Sequence, residues 1–127
     1  MKTIKQTYHI NAPVEKVWHA LVNAKDINEW GGGPADMGDK VGTEFSLWGG
    51  DIHGTNKEVV LHKKLVQEWF GGKWDEASHL TFVLTAKNKS TEVELIHENV
   101  PDQEAKDIEE GWKDYYMHPL KEFVEKK

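Results

Sequence analysis

Residues 111–127 constrain the fold of this chain more than any other segment, because they demand a large apolar surface to lie against. At about 100° per residue, Ile108, Trp112, Tyr115, Tyr116, Pro119, Leu120 and Phe123 share one broad arc of a helical wheel. Glu109 is the one carboxylate inside that arc, while Lys113, Asp114, His118, Lys121, Glu122 and Glu125 lie outside it. A helix patterned in this way buries its apolar face against the rest of its domain.

The order of elements upstream predicts what that surface is. In residues 2–11, Ile4, Gln6, Tyr8 and Ile10 alternate with Thr3, Lys5, Thr7 and His9, which reads as a strand. Asn11-Ala12-Pro13 then starts a helix, with Asn11 or Ala12 near the cap, and Val14, Val17, Trp18, Leu21 and Val22 follow at helical spacing. A second short helix is expected over residues 24–30. Trp30-Gly31-Gly32-Gly33-Pro34 breaks the pattern, and residues 43–48, 52–62, 65–70, 78–86 and 91–99 read as strands beyond it. Gly49-Gly50-Asp51, His62-Lys63-Lys64, Gly71-Gly72-Lys73 and Lys87-Asn88-Lys89-Ser90 separate them, which predicts an antiparallel meander. Pro101-Asp102 opens the last helix, with Asp102 as its N-cap.

The predicted class is α+β, in one domain over residues 1–127: a curved antiparallel sheet of about six or seven strands, gripping a long C-terminal helix. Phe45, Leu47, Leu65, Trp69, Leu80, Phe82, Leu84, Val93 and Leu95 are expected on the inward face of the sheet. Trp112, Tyr115, Tyr116 and Phe123 would press on them from the helix.

Composition removes several function classes. The chain has no cysteine, so disulfides and cysteine–zinc sites are excluded. Its net charge is −6 and its 16 basic residues are all lysine, which argues against nucleic acid and an anionic membrane surface as partners. No stretch reaches the roughly 20 apolar residues of a membrane span, and the N-terminus lacks an apolar signal region. A cytoplasmic location is expected.

These residues carry a family resemblance. Ile10-Asn11-Ala12-Pro13-Val14-Glu15-Lys16-Val17-Trp18 with Ala20-Leu21 resembles the first helix of the START-like, or helix-grip, superfamily. Gly42-Thr43-Glu44-Phe45, Gly54, Leu65 with Trp69, and Leu95-Ile96-His97 resemble its strands. Gly111-Trp112-Lys113-Asp114-Tyr115-Tyr116 with Leu120-Lys121 is similar to the last helix in the C-terminal domain of the activator of the ninety-kilodalton heat-shock chaperone's ATPase. The resemblance implies a helix-grip fold, often built around an apolar tunnel, and either small-molecule binding or contact with a chaperone. The family's N-terminal domain also contacts the chaperone, and the chain is expected to hold the C-terminal part alone. Pro119 departs from the family pattern: it removes the hydrogen bond to the Tyr115 carbonyl, which predicts a kink or an end of the helix near His118.

Reactive constellations are sparse. The seven histidines, His9, His19, His53, His62, His79, His97 and His118, form no H-E-x-x-H motif, and structural or solvated roles are expected rather than a metal site. The glycine runs lack phosphate-loop and dinucleotide spacing, and there is no G-x-S-x-G elbow. No cofactor is called for. The surplus of aromatics instead nominates a cavity between sheet and helix, lined by Phe45, Trp69, Phe82, Leu84, Leu95, His97, Trp112, Tyr115 and Tyr116, with Trp30 and Trp48 at its rim. His97 there reads as a hydrogen-bonded core histidine or as a group orienting a polar ligand head. The first functional reading is a non-enzymatic domain binding an apolar or aromatic small molecule. The alternative is a chaperone-modulating interaction module. A third, an enzyme of cyclase or hydrolase type using His97 as acid–base, has no supporting constellation.

Overall fold

The computed structural model describes residues 1–72 and 74–126. Lys73, in the expected turn at Gly71-Gly72-Lys73, and Lys127, at the end of the expected helix, lie outside the described residues. Six strands form one antiparallel sheet in the order β1-β6-β5-β4-β3-β2: β1 Lys2–Ile10, β2 Glu44–Leu47, β3 Ile52–Val60, β4 Lys64–Gly71, β5 Ser78–Lys87 and β6 Ser90–Val100. The five strands after the helices form the predicted meander, and β1 completes the sheet beside β6. Helices α1, Val14–Val22, and α2, Ala24–Trp30, follow β1. The N-cap of α1 is Pro13 itself, held extended, with its carbonyl accepting from Lys16 and Val17.

Alternation places one parity of each strand inside. Phe45 and Leu47 from β2, Leu65 and Trp69 from β4, Leu80, Phe82 and Leu84 from β5, and Val93 and Leu95 from β6 are all buried, as their spacing predicts. The sheet can grip because it curves. Register shifts in β3 between Asn56 and Glu58, and in β1 between Lys2 and Ile4, add local twist. At Gly54 the neighbouring strand comes so close that an added Cβ would lie 1.9 Å from the Glu68 carbonyl oxygen. Only glycine fits there.

The inward parity also carries Gln67, between Leu65 and Trp69, which a purely apolar reading passes over. Its Nε2 donates to Asn56 Oδ1 at 2.9 Å, and Asn56 Nδ2 donates to the Gly38 carbonyl at 2.8 Å. This buried pair is satisfied internally, as burial requires, and it straps the segment between α2 and β2 to the sheet.

The C-terminal helix differs from expectation at both ends of its aromatic stretch. It begins at Ala105, because residues 101–104 make a turn in which Glu104 N–H donates to the Pro101 carbonyl at 3.0 Å. Asp102 is therefore no N-cap; its carboxylate pairs with the Met1 amino group at 2.8 Å. Helix α3, Ala105–Gly111, runs into a π turn at Trp112–Met117 and then into α4, His118–Glu125. In the π turn the His118 N–H donates to the carbonyl of Lys113, five residues back. Pro119 accordingly meets the first turn of α4, where a missing N–H is tolerated, and the helix neither ends nor breaks near His118.

A π turn holds more residues than the usual 3.6, so it rotates the downstream helix relative to a regular wheel. Met117, absent from the predicted arc, is fully buried, whereas Tyr115, inside that arc, is 69% exposed. Trp112, Tyr116, Met117, Leu120 and Val124 form the buried stripe, with Phe123 half-buried beside it. Each fully buried side chain of this size contributes roughly 1.5–3 kcal/mol by transfer, so the stripe is a principal source of stability.

Candidate functional site

Where α3 enters the π turn, it stands away from the end of β4 and the start of β3, leaving an open cleft of about 280 Å³. Asp107, Ile108, Gly111, Trp112, Tyr115 and Tyr116 form its helix wall, and Trp48, Ile52 and Trp69 form its sheet wall. The volume lies just below the usual range of small-molecule pockets, about 300–1,000 Å³. Trp69, Trp112 and Tyr116 are almost wholly buried and make the floor, while exposed Tyr115 and half-buried Trp48 flank the mouth.

The floor is a stack of tilted rings. Trp112 and Tyr116 are 4.6 Å apart by ring centroids, and Trp69 and Trp112 are 5.5 Å apart. Phe82 supports both helix rings from behind, edge-on to Trp112 at 5.8 Å and stacked on Tyr116 at 6.0 Å. Separations in this range are favourable for aromatic pairs. Burial pushes the Tyr116 hydroxyl well above the ordinary tyrosine range.

Below the floor runs a chain of buried hydrogen bonds. Trp112 Nε1–H donates to His97 Nδ1 at 3.0 Å, His97 Nε2 meets Ser78 Oγ at 2.7 Å, and Ser78 Oγ donates to the Trp69 carbonyl at 2.6 Å. Since the Ser78 proton goes to the carbonyl, His97 must donate through Nε2–H and accept at Nδ1. Burial lowers the imidazole from its ordinary 6.5 to about 3. Both ring nitrogens are therefore taken by the protein's own groups. The arrangement is that of a structural histidine rather than a proton shuttle.

The remaining nominated residues separate into two groups. Trp69, Trp112, Tyr115, Tyr116 and Trp48 surround the cleft, whereas Phe45, Phe82, Leu84, Leu95 and His97 lie in the packed core. Trp30 is not at a rim: it is buried, with Nε1–H donating to the Ala20 carbonyl at 3.0 Å and its ring 4.8 Å from Tyr116. Sequence reasoning misses Asp107, Gly111 and Ile52, and places Ile108 on the helix's apolar arc without nominating it for the cavity. A glycine inside an otherwise helical run is the available signal for Gly111. Asp107 and Ile52 carry no such mark, because only tertiary packing sets them opposite one another.

Of the other histidines, His19 Nδ1 sits 2.5 Å from Asp26 Oδ2, His53 stacks on Phe70 at 5.1 Å, and His62 lies edge-on to Trp18 at 6.2 Å. Among the described residues no three His, Asp or Glu side chains gather closely enough to share a metal ion. No helix among the described residues is long and apolar enough to cross a membrane.

Comparison with known proteins agrees with this architecture. The activator of 90 kDa heat shock protein ATPase homolog of Dictyostelium discoideum is 28% identical over 123 residues, covering 94% of this chain and 32% of its own length. The human activator of 90 kDa heat shock protein ATPase homolog 1 is 26% identical over 122 residues, covering 94% of this chain and 36% of its own. The chain thus spans about a third of the length of these curated relatives. Among solved structures, an HSP90 activator from Plasmodium falciparum superposes with a TM-score of 0.89 at 25% identity, over 94% of both chains. An Aha1 dimer from Colwellia psychrerythraea shares the fold at a TM-score of 0.83 and 20% identity, over 98% of this chain and 97% of that one. The model of the family described as Activator of Hsp90 ATPase homolog 1-like protein matches residues 11–125, and the chain belongs to that family.

Proposed function

We propose that this domain modulates the ATPase cycle of an Hsp90-type chaperone by docking on it as a folded module. The family match over residues 11–125 carries this reading. Its further support is a solved HSP90 activator whose chain matches this one over 94% of both lengths. The test is ATP turnover by the Hsp90 of the source organism, with and without this chain. A saturable change in turnover is expected; unchanged turnover, with no complex in sedimentation, overturns the proposal.

A second reading has its own observation, the aromatic cleft of about 280 Å³ between helix and sheet. In this reading the domain holds a small apolar or aromatic molecule against Trp69 and Trp112. Native mass spectrometry of freshly purified protein would reveal a guest. Failure of a hydrophobic library to change tryptophan fluorescence would overturn it. Neither reading calls for a catalytic group.

A further inference from the structure

Three locally unfavourable choices meet at the cleft. Gly111 sits in regular helical conformation, φ −63° and ψ −39°, where glycine costs roughly 0.5–1 kcal/mol relative to alanine. Nothing in the packing demands it, since an added Cβ would meet no atom within 4 Å. The π turn begins at the next residue, and such turns recur at functional sites. Across the cleft Trp48 holds φ at +49°, a region that large side chains seldom occupy. Its indole N–H donates to the Gly31 carbonyl at 2.8 Å, which fixes the ring on the sheet wall. The π turn seats Pro119 and Met117, but the fold itself has no use for the glycine, and local penalties of that kind gather at functional sites.

The chemistry of the walls states what fits. Asp107, Gly111 and Tyr115 follow one another at four-residue spacing, so they line one stripe of the helix. Gly111 is a notch between a carboxylate and a phenol ring. Indole and phenol faces attract cations through their quadrupoles, and Asp107 is the only carboxylate, with no lysine, among the described lining residues. One turn before Asp107, Glu104 accepts from the Trp74 indole N–H, and the Trp74 ring lies 5.8 Å from Trp69. That extends the acidic, aromatic character beyond the cleft, in a chain of net charge −6. The Asp107 carboxylate disfavours an anion here, and a neutral guest makes no use of its charge.

We propose that the cleft takes a small organic ammonium ion with an apolar body, set between Trp48 and Tyr115 and countered by Asp107, with Gly111 keeping the space open. This rests on the ligand-binding reading and adds the sign of the guest's charge.

Titration with phenyltrimethylammonium, its neutral isostere tert-butylbenzene and benzoate tests it, followed through the indole N–H resonances of Trp48, Trp69 and Trp112. The cation should bind about tenfold more tightly than the isostere, and benzoate should not bind. Asp107→Asn should weaken the cation about three- to fivefold and leave the isostere unchanged. Gly111→Leu should abolish both, with an unchanged fold by circular dichroism. Equal binding of cation and isostere, indifferent to Asp107→Asn, overturns the charge assignment while leaving an apolar cleft. Absence of binding by all three probes, or binding indifferent to Gly111→Leu, overturns the ligand-binding reading as well.

Discussion

Trp112 donates its indole N–H to His97 Nδ1 at 3.0 Å, and this bond joins the C-terminal helix to the centre of the sheet. It forms only with an unprotonated Nδ1, so the helix-to-sheet contact depends on a neutral imidazole. His97 is fully buried, which makes the dependence strong.

The first prediction concerns acid. The His97 pKa is about 3 in the fold, against 6.5 for the free side chain. The unfolded chain therefore takes up the proton first as pH falls. The contribution of this group is complete above about pH 6.5 and is lost progressively down to about pH 3, at up to about 1.4 kcal/mol per unit. Urea unfolding at pH 7 and at pH 5 should show the loss. A His97→Gln variant should be less stable at pH 7 by about 1–3 kcal/mol, with a flatter acid limb. An equally steep limb in the variant would assign the acid sensitivity elsewhere.

The π turn makes an asymmetric prediction at neighbouring positions. Met117→Ala should cost about 2–5 kcal/mol, because it empties a fully buried site. Tyr115→Ala, at a side chain 69% exposed, should change stability by less than about 1 kcal/mol. A regular α-helical wheel through Trp112 puts Tyr115 inside instead. Thermal unfolding of the two variants distinguishes these geometries.

Gly111→Ala should stabilise the domain by about 0.5–1 kcal/mol, since helical backbone is cheaper for alanine and an added Cβ meets no atom within 4 Å. A drop in melting temperature would show that the helix needs the glycine for itself.

Asn56 bonds two partners, the buried Gln67 amide and the part-buried Gly38 carbonyl. Asn56→Ala should leave the Gln67 amide with only its long contact to Met37 Sδ, strip the Gly38 carbonyl of its donor, and cost about 1–3 kcal/mol. Amide hydrogen exchange should also quicken at Gly42, whose N–H donates to the Asn56 carbonyl at 2.8 Å. Unchanged protection at Gly42 would separate that strap from the side-chain pair.

Much of this fold was legible in the chain because its strands obey a period of two. Phe82, Leu84, Val93 and Leu95 declare their side of the sheet by alternation alone, and the turns at His62-Lys63 and Asn88-Lys89 declare the meander. Residues 24–30 declare α2 with its observed bounds. Periodicity fails where the helix changes pitch. Nothing in Trp112–Met117 announces a π turn, and a wheel drawn at constant pitch puts Tyr115 in and leaves Met117 out. Capping chemistry misleads at Asp102, because the Met1 amino group competes for its carboxylate.

The candidate site was half-legible for a related reason. Aromatic surplus pointed to the space between sheet and helix, but it could not separate Phe45 and Phe82, sealed in the core, from Trp69 and Trp112, which floor the cleft. The sequence by itself determined the α+β class, the strand parity and the aromatic face of the last helix, because these follow from local period and composition. Tertiary structure alone decided where that helix changes pitch, that His97 is bound on both nitrogens, and that Asp107, Gly111 and Tyr115 face Trp48 across an opening. Those outcomes depend on contacts between distant segments, which hydrophobic pattern constrains only to a face and never to a partner.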